Sequence, residues 1–275
     1  MLTVLHGSDV HFGRPHRPVV AGGFVELARR VAPDVIVLAG DFTQRARVSE
    51  FEQARAFLRE LQTGPLEGVP VVVTPGNHDV PLFRIHERML NPFRNYRAFI
   101  SKDLDTVTRV HGAVLVALNS ADPHRGIVNG RITDRQLEFL ARIFQETSGE
   151  NVRILVVHHN VAPPPDGGPD AVIPRNGTLL DRFRDVGVDL ILSGHLHRGF
   201  VTSSAAVRPD CRDRRTIPIV HSGTASSGRG RAGEKGENSV NVLKIDEQAI
   251  EVVPHWFQPE ASGFVARENI RISRS

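Results

Sequence analysis

Hydrophobic and polar positions follow two periods along the first two-thirds of the chain. Short, continuous, β-branched runs predict buried strands at residues 3–7, 34–39, 69–74, 107–118 (two strands), 151–157 and 188–192. Apolar residues at helical spacing predict amphipathic helices between them, at residues 19–31, 49–61, 133–146 and 176–185. Ser49, with Glu52 three residues later, predicts a capping box, and Thr133 predicts the N-cap of the third helix.

After Gly199 the helical period stops. Further strands joined by turns are predicted at residues 199–207, 216–220, 239–245, 249–257 and 264–272, with a hairpin turn at 246–248. This order predicts an α/β (α+β) fold in a single domain over residues 1–275. We expect a βα-rich half at about 1–198 and a β-rich half, at about 199–275, that packs on it.

Composition limits the class of protein and its expected cellular location. The 275 residues are 40% hydrophobic, enough for a sizeable core, and the net charge is only +3. Three of the 34 basic residues are lysines, and the rest are arginines. A GC-rich genome explains this arginine bias better than phosphate binding does. One cysteine, Cys211, gives no internal disulfide. No apolar run is as long as a membrane span, and the chain opens directly on a strand-like run, so we expect a cytoplasmic protein.

Five polar clusters stand where predicted strands end. They are Asp9-Val10-His11, Gly40-Asp41, Gly76-Asn77-His78-Asp79, His158-His159 and Gly194-His195-Leu196-His197. Ligands collect at the carboxyl ends of strands in α/β proteins, and carboxylates, imidazoles and an amide suit divalent transition metals. Residues i and i+2 of an extended chain point the same way, so Asp9 and His11 should face one point, and so should His195 and His197 if that segment stays extended. Taken alone, each cluster is a weak signal: Asp-x-His is more often a surface pair, His-His is more often structural or solvated, and Gly-Asn-His-Asp is also typical of a hydrogen-bonded turn. All five in order, each at the end of a predicted strand, predict a metal centre.

The five clusters together resemble the signature of the calcineurin-like metallophosphoesterases, D-x-H, G-D, G-N-H-[DE], H and G-H-x-H, over residues 1 to about 200. The resemblance implies a four-layer α-β-β-α sandwich of two mixed β-sheets flanked by helices. It also implies two divalent ions, with Mn, Fe, Zn, Co and Ni all compatible with the ligands. The first ion would be held by Asp9, His11, Asp41 and His197, and the second by Asp41, Asn77, His158 and His195.

The resemblance implies catalytic roles for two further residues. His78 would stabilise the transferring phosphoryl group or protonate the leaving oxygen. Asp79 would orient His78, with a cap on the next segment as an equally open alternative. At His158-His159 only one side chain can face the site; we assign His158 as the ligand and place His159 behind it or in a lid.

The substrate class is less constrained than the chemistry. Residues 118–140, and the prolines that follow His158-His159, resemble the class III cyclic-nucleotide phosphodiesterase branch. We therefore favour a phosphodiesterase that acts on a small substrate, such as a 3',5'-cyclic nucleotide, through a hydroxide bridging the two ions. The alternatives are a nuclease of the DNA-repair exonuclease type, a phosphomonoesterase and a pyrophosphatase. A non-catalytic metal-binding scaffold is disfavoured because His78 and all seven ligands are present.

Four residues are candidates for substrate binding: Arg14, Arg125, His159 and Arg229. Arg229 lies in a Gly-rich segment, residues 222–238, whose composition favours a flexible, solvated hairpin over a substrate lid. The expected partner is a small phosphate ester, with nucleic acid less favoured because the net charge is modest. The sequence leaves the oligomeric state open.

Overall fold

The computed structural model describes residues 1–124, 127–147, 149, 151–166, 172–209 and 215–274. Its helices are α1 (Pro18–Val31), α2 (Val48–Glu60), α3 (Ile85–Leu90), α4 (Arg94–Phe99), α5 (Asp134–Gln145) and α6 (Asn176–Asp185). Its strands are β1 (Leu2–Gly7), β2 (Val35–Leu38), β3 (Val71–Val73), β4 (Thr106–Val110), β5 (Ala113–Leu118), β6 (Val152–Val157), β7 (Leu190–Ser193), β8 (Phe200–Ser203), β9 (Pro218–His221), β10 (Ser239–Ile245), β11 (Ala249–Gln258), β12 (Gly263–Ala266) and β13 (Ile270–Ser273). No helix in these ranges has the length and apolar character that a membrane crossing requires.

The strands form two mixed sheets. The first has the order β12-β11-β10-β1-β2-β3, with β13 paired to β11, and β1, β2 and β3 run parallel. The second has the order β4-β5-β6-β7-β9-β8, with β5, β6, β7 and β9 parallel and an antiparallel strand at each edge. Parallel strands end at the same edge of a sheet, so the loops after β1, β2 and β3, and those after β6 and β7, lie close together.

Three apolar clusters separate four layers. One, with Val4, Val37, Leu115 and Ile154 among its members, takes residues from both sheets and fills the space between them. A second packs α1 and α2 on the outer face of the first sheet, and a third packs α5 and α6 on the outer face of the second. Two mixed sheets flanked by helices were predicted, and this part of the fold is confirmed.

The strands after Gly199 do not form a sheet of their own. β10 to β13 extend the first sheet beyond β1, whereas β8 and β9 extend the second beyond β7. The predicted bounds of two strands are wrong. The strand predicted at 199–207 ends at Ser203, and the one predicted at 264–272 is two strands, β12 and β13. The predicted hairpin turn is present, because Asp246 Oδ1 accepts hydrogen bonds from the amides of Gln248 and Ala249, both at 2.8 Å.

Helix boundaries depend on side chains that reach back to the preceding loop. The predicted capping box at Ser49 and Glu52 is wrong: α2 begins at Val48, and buried Glu50 instead accepts from the amides of Arg45 and Arg47 at 2.8 and 3.1 Å. The cap at Thr133 is confirmed, since its hydroxyl accepts from the amide of Gln136 at 3.3 Å. The short helices α3 and α4 carry too few turns for a helical period and were not predicted.

Candidate metal centre

The five polar clusters occupy the loops that leave β1, β2, β3, β6 and β7. The backbone of Asp9-x-His11 and of His195-x-His197 is not extended, contrary to our expectation. Asp9, His11, His195 and His197 have φ values of 56°, 50°, 75° and 56°, in the left-handed region that non-glycine residues rarely adopt. The amides of Asp9 and His11 donate to the carbonyls of Gly40 and Asp41, both at 3.0 Å, which holds this strained loop against the next one.

One group of ligand atoms forms where these loops meet. Asp9, His11, Asp41 and His197 are all buried, and one potential ligand atom of each lies within 4.8 Å of the others. His197 Nε2 is 3.1 Å from Asp9 Oδ1 and 3.2 Å from His11 Nε2. This mixed carboxylate and imidazole group could hold a divalent ion.

A second group adjoins the first. Asn77 Oδ1 lies 3.2 Å from His158 Nε2 and 3.0 Å from His195 Nδ1, and the two histidine nitrogens are 3.3 Å apart. Asp41 Oδ2 stands between the groups, 3.5 Å from His11 Nε2 and 3.4 Å from His158 Nε2. One carboxylate oxygen is therefore within reach of both groups.

Unsatisfied buried oxygens at the contact between the groups fit bound cations. Asp9 Oδ1 and Asp41 Oδ2 are buried and accept no hydrogen bond from any described residue, which would be costly without a positive partner. Burial alone would raise the pKa of Asp41, but the nearby histidines outweigh burial and hold this pKa well below its usual range. Burial lowers the pKa of His158, whereas Asp41 raises it, to about 9 on balance. A proton and a metal cation are alternative ways to balance this carboxylate charge.

The remaining atoms of these side chains are fixed by the backbone. His158 Nδ1 donates to the Ala39 carbonyl at 2.7 Å, and His197 Nδ1 donates to the Arg229 carbonyl at 3.1 Å. Asp9 Oδ2 accepts from the His195 amide at 2.9 Å. Such contacts set the ring tautomer and leave the other nitrogen free to bind a metal.

Glycines permit the close approach of the loops. A β-carbon at Gly76 would collide with the Asp41 carboxylate, and one at Gly194 would collide with the Ser8 hydroxyl. The glycines in the sequence clusters therefore have a steric role: they let a backbone segment lie against a side chain of the neighbouring loop.

His78 lies beside the first group without joining it. Its ring meets His11 edge-on with centroids 4.8 Å apart. Nδ1 donates to the Gln44 carbonyl at 2.9 Å, and Nε2 lies 3.2 Å from Arg229 Nη1. Because a carbonyl can only accept, Nδ1 carries the hydrogen and Nε2 has its lone pair toward Arg229.

Asp79 has a different set of partners from those expected. Its carboxylate accepts from the amides of Phe42, Thr43 and Gly76 at 3.2, 2.9 and 2.9 Å, so it joins the loops after β2 and β3. None of the hydrogen bonds of the described residues joins Asp79 to the His78 ring. Burial and the neighbouring Asp41 raise the pKa of Asp79 to about 7. These contacts favour a local cap over direct orientation of His78.

The other candidate substrate residues lie in different environments. His159 is buried behind His195, with Nδ1 2.8 Å from Ser120 Oγ and Nε2 3.1 Å from the Ile127 carbonyl. Burial lowers its pKa to about 3. Arg14 is exposed on the loop after His11, and Arg125 lies outside the described residues.

The Gly-rich segment is only partly the solvated hairpin that its composition favoured, because residues 231–233 and 235–237 are exposed but the first residues of the segment are not. Residues 222–227 are buried against the loop after β1. The amide of Ala225 donates to the Ser8 carbonyl at 2.8 Å, Thr224 Oγ1 to the Asp9 carbonyl at 2.7 Å, and Ser226 Oγ to the Val10 carbonyl at 3.0 Å. This part of the segment supports the strained Asp9 loop from behind.

Sequence reasoning missed Gln44, which touches two candidate functional side chains. Its carbonyl accepts from His78, and its Oε1 accepts from Arg229 Nη1 at 3.0 Å. Its position three residues after Asp41 was the only available signal, and that signal does not distinguish Gln44 from its neighbours.

The chain is similar in sequence to two known phosphodiesterases. The chain is 30% identical to a probable cyclic nucleotide phosphodiesterase of Synechococcus sp. over 194 residues, which cover 67% of this chain and 65% of that relative. It is 28% identical to a cAMP/cGMP dual specificity phosphodiesterase of Mycobacterium tuberculosis, over 87% of this chain and 75% of that relative.

Solved structures show the same fold. A dimetal phosphatase from Danio rerio superposes with a TM-score of 0.64 at 14% identity, over 100% of this chain and 99% of that one. The family model for the calcineurin-like phosphoesterases matches residues 2–199, which contain all five polar clusters. This chain therefore belongs to the calcineurin-like phosphoesterase family.

Proposed function

We propose that the protein is a binuclear metal-dependent phosphohydrolase that cleaves a small phosphodiester, such as a 3',5'-cyclic nucleotide. One observation carries the proposal: Asp41 Oδ2 lies within 3.5 Å of a nitrogen in each of the two ligand groups. In our assignment Asp9, His11, Asp41 and His197 hold one ion, and Asp41, Asn77, His158 and His195 hold the other. The identity of the ions and the cytoplasmic location stay predictions from the sequence.

The surrounding residues have distinct tasks in this proposal. Two divalent ions, when bound, supply Lewis acidity and an activated water for attack on phosphorus. Arg229, held by Gln44, offers N–H groups to the phosphoryl oxygens, for which a guanidinium is well shaped. His78 Nε2 leaves its contact with Arg229, takes up a proton from solvent, and then donates that proton in a hydrogen bond to the phosphoryl or leaving oxygen. Arg14 is a further substrate contact at the exposed rim of this loop.

The phosphodiester preference rests on the relatives and on the resemblance of residues 118–140 to the class III cyclic-nucleotide phosphodiesterase branch. Both phosphodiesterases named above are described as acting on cyclic nucleotides. A nuclease of the same fold is the second candidate. The Asp9 to Gly13 sequence favours it, because that sequence resembles the Asp-x-His-Phe/Leu-Gly opening of the DNA-repair exonuclease type, whereas the net charge of only +3 disfavours it.

Substrate class can be tested with matched aryl esters. With manganese added, we expect bis(p-nitrophenyl) phosphate to be hydrolysed faster than p-nitrophenyl phosphate, because a small phosphodiester is the proposed substrate. Cyclic nucleotides and single-stranded DNA, assayed alongside, separate the two candidate functions. Much faster hydrolysis of the monoester would contradict the diester proposal, and degradation of DNA without turnover of cyclic nucleotides would favour the nuclease.

Loss of the Arg229 guanidinium should weaken catalysis without loss of metal. Hydrogen bonds to charged groups are worth about 1.5–3 kcal/mol, so Arg229→Ala should lower kcat/KM by about 10- to 100-fold. Arg229→Lys should recover only part of the loss, since an ammonium lacks the planar fork. Arg231→Ala, an exposed arginine two residues away, is the matched control. Equal kinetics for Arg229→Ala and Arg231→Ala would show that Arg229 does not contact the substrate.

A further inference from the structure

An apolar patch projects from the surface beside the candidate metal centre. Five large apolar side chains form it: Val48, Phe83, Ile85, Met89 and Leu90, with exposed fractions between 49% and 85%. Four of them fall within eight consecutive residues at and before α3, and none of the six residues of this helix is buried. Clustered exposure of this kind is unusual on a soluble monomer and marks an interaction surface.

The patch is held in place by polar contacts with backbone carbonyls. Arg84 Nη1 and Nη2 donate to the carbonyls of Arg45 and Ala46 at 3.2 and 2.8 Å. Arg88 Nε donates to the Pro123 carbonyl at 2.6 Å. The bonds of Arg84 fix the start of α3 to the loop after β2, and the bond of Arg88 fixes the helix to the segment after β5, while the apolar side chains stay in solvent.

Cationic residues accompany the patch. Arg45 and Arg47 are exposed beside Val48, and residues 83–97 contain four arginines against a single acid, Glu87. Glu87 Oε1 is itself 3.0 Å from Nε of Arg84, the residue that precedes α3, so the one acid of this stretch is already paired. The surface therefore combines projecting apolar groups with an excess of positive charge.

We propose that this apolar patch docks the protein on an anionic lipid bilayer. Phe83 and Leu90 are more than 80% exposed and therefore protrude, which suits insertion between lipid headgroups. The surrounding arginines complement the negative charge of the bilayer surface. The loop that carries Arg45 also carries Gln44, whose carbonyl holds His78, so the docked surface flanks the candidate centre.

Vesicle co-sedimentation tests the docking. The intact protein is mixed with phosphatidylcholine vesicles, with and without phosphatidylglycerol, at low and high salt. We expect salt-sensitive binding only where phosphatidylglycerol is present, and a loss of at least about tenfold in Phe83→Ser/Leu90→Ser, because two inserted side chains are removed. Val19→Ser, which alters an exposed valine on α1, should bind like the wild type. Unchanged hydrolysis of a soluble aryl ester checks that the double variant is folded.

Other outcomes would overturn the proposal. Binding that is equal with and without phosphatidylglycerol, or no binding at all, would contradict an anionic lipid surface. Lipid binding that persists in Phe83→Ser/Leu90→Ser would show that another surface is responsible. A wild-type dimer that becomes a monomer in the double variant, measured by sedimentation velocity, would identify a second copy of the chain as the occupant.

Discussion

Replacement of Asp41 by alanine is expected to deplete both metal ions at once. Asp41 Oδ2 is the atom shared by the two ligand groups, at 3.5 Å from His11 Nε2 and 3.4 Å from His158 Nε2. Its Oδ1 also accepts from the His78 amide at 2.8 Å, so the variant loosens the catalytic loop as well. Mutation of a residue that only hydrogen-bonds to a metal ligand lowers metal affinity by about 10–100-fold. Loss of Asp41, a ligand itself, should lower the affinity by more than that. Elemental analysis of the dialysed protein measures occupancy, and hydrolysis should fall to background.

A second variant, in a ligand that belongs to one group only, tests whether Asp41 is shared by both groups. Asn77→Ala removes a neutral oxygen from one group only, so we expect one ion to be lost and the other to be retained. Loss of a single ion in both variants would place Asp41 in one site alone. Two tightly bound ions in Asp41→Ala would refute the bridging assignment.

Replacement of His78 by alanine should leave both ions bound and slow the chemical step. Its ring contributes no atom to either group, and alanine keeps the backbone amide that bonds to Asp41. Loss of a general acid costs about 10²–10⁴-fold, and less with activated leaving groups that need no proton. We therefore expect a large fall in kcat on a cyclic nucleotide and a smaller fall on a nitrophenyl ester, with KM changed less.

The comparison of two leaving groups decides what His78 does. Equal losses on both substrates would favour stabilisation of phosphoryl charge over proton donation. His111→Ala, an exposed histidine in the turn between β4 and β5, controls for nonspecific effects. Full activity in a metal-replete His78→Ala protein would exclude His78 from the mechanism.

Local sequence determined the strands and the chemistry that follows them. The apolar runs that become β1, β2, β3, β6 and β7 are each followed within a few residues by a polar cluster, so the side chains are tied covalently to strand ends. Parallel strands bring their carboxyl ends to one edge, and this rule predicts convergence without any knowledge of distances. The period of a strand said only that one of His158 and His159 faces the centre, and His158 was chosen as the first residue after the strand. The structure puts His158 Nε2 3.4 Å from Asp41 Oδ2 and turns His159 to Ser120.

Only the tertiary structure decided how the loops meet. The left-handed backbone at Asp9 and His11 depends on bonds to the loop after β2, about 30 residues away, and no local pattern encodes them. The contact between Arg229 and His78 joins residues 151 positions apart. Composition suggested a solvated Gly-rich hairpin because small polar residues usually face water, yet their hydroxyls here satisfy the carbonyls of a buried loop. Sequence periodicity records which face of an element is apolar, whereas pairing between distant loops is set by packing.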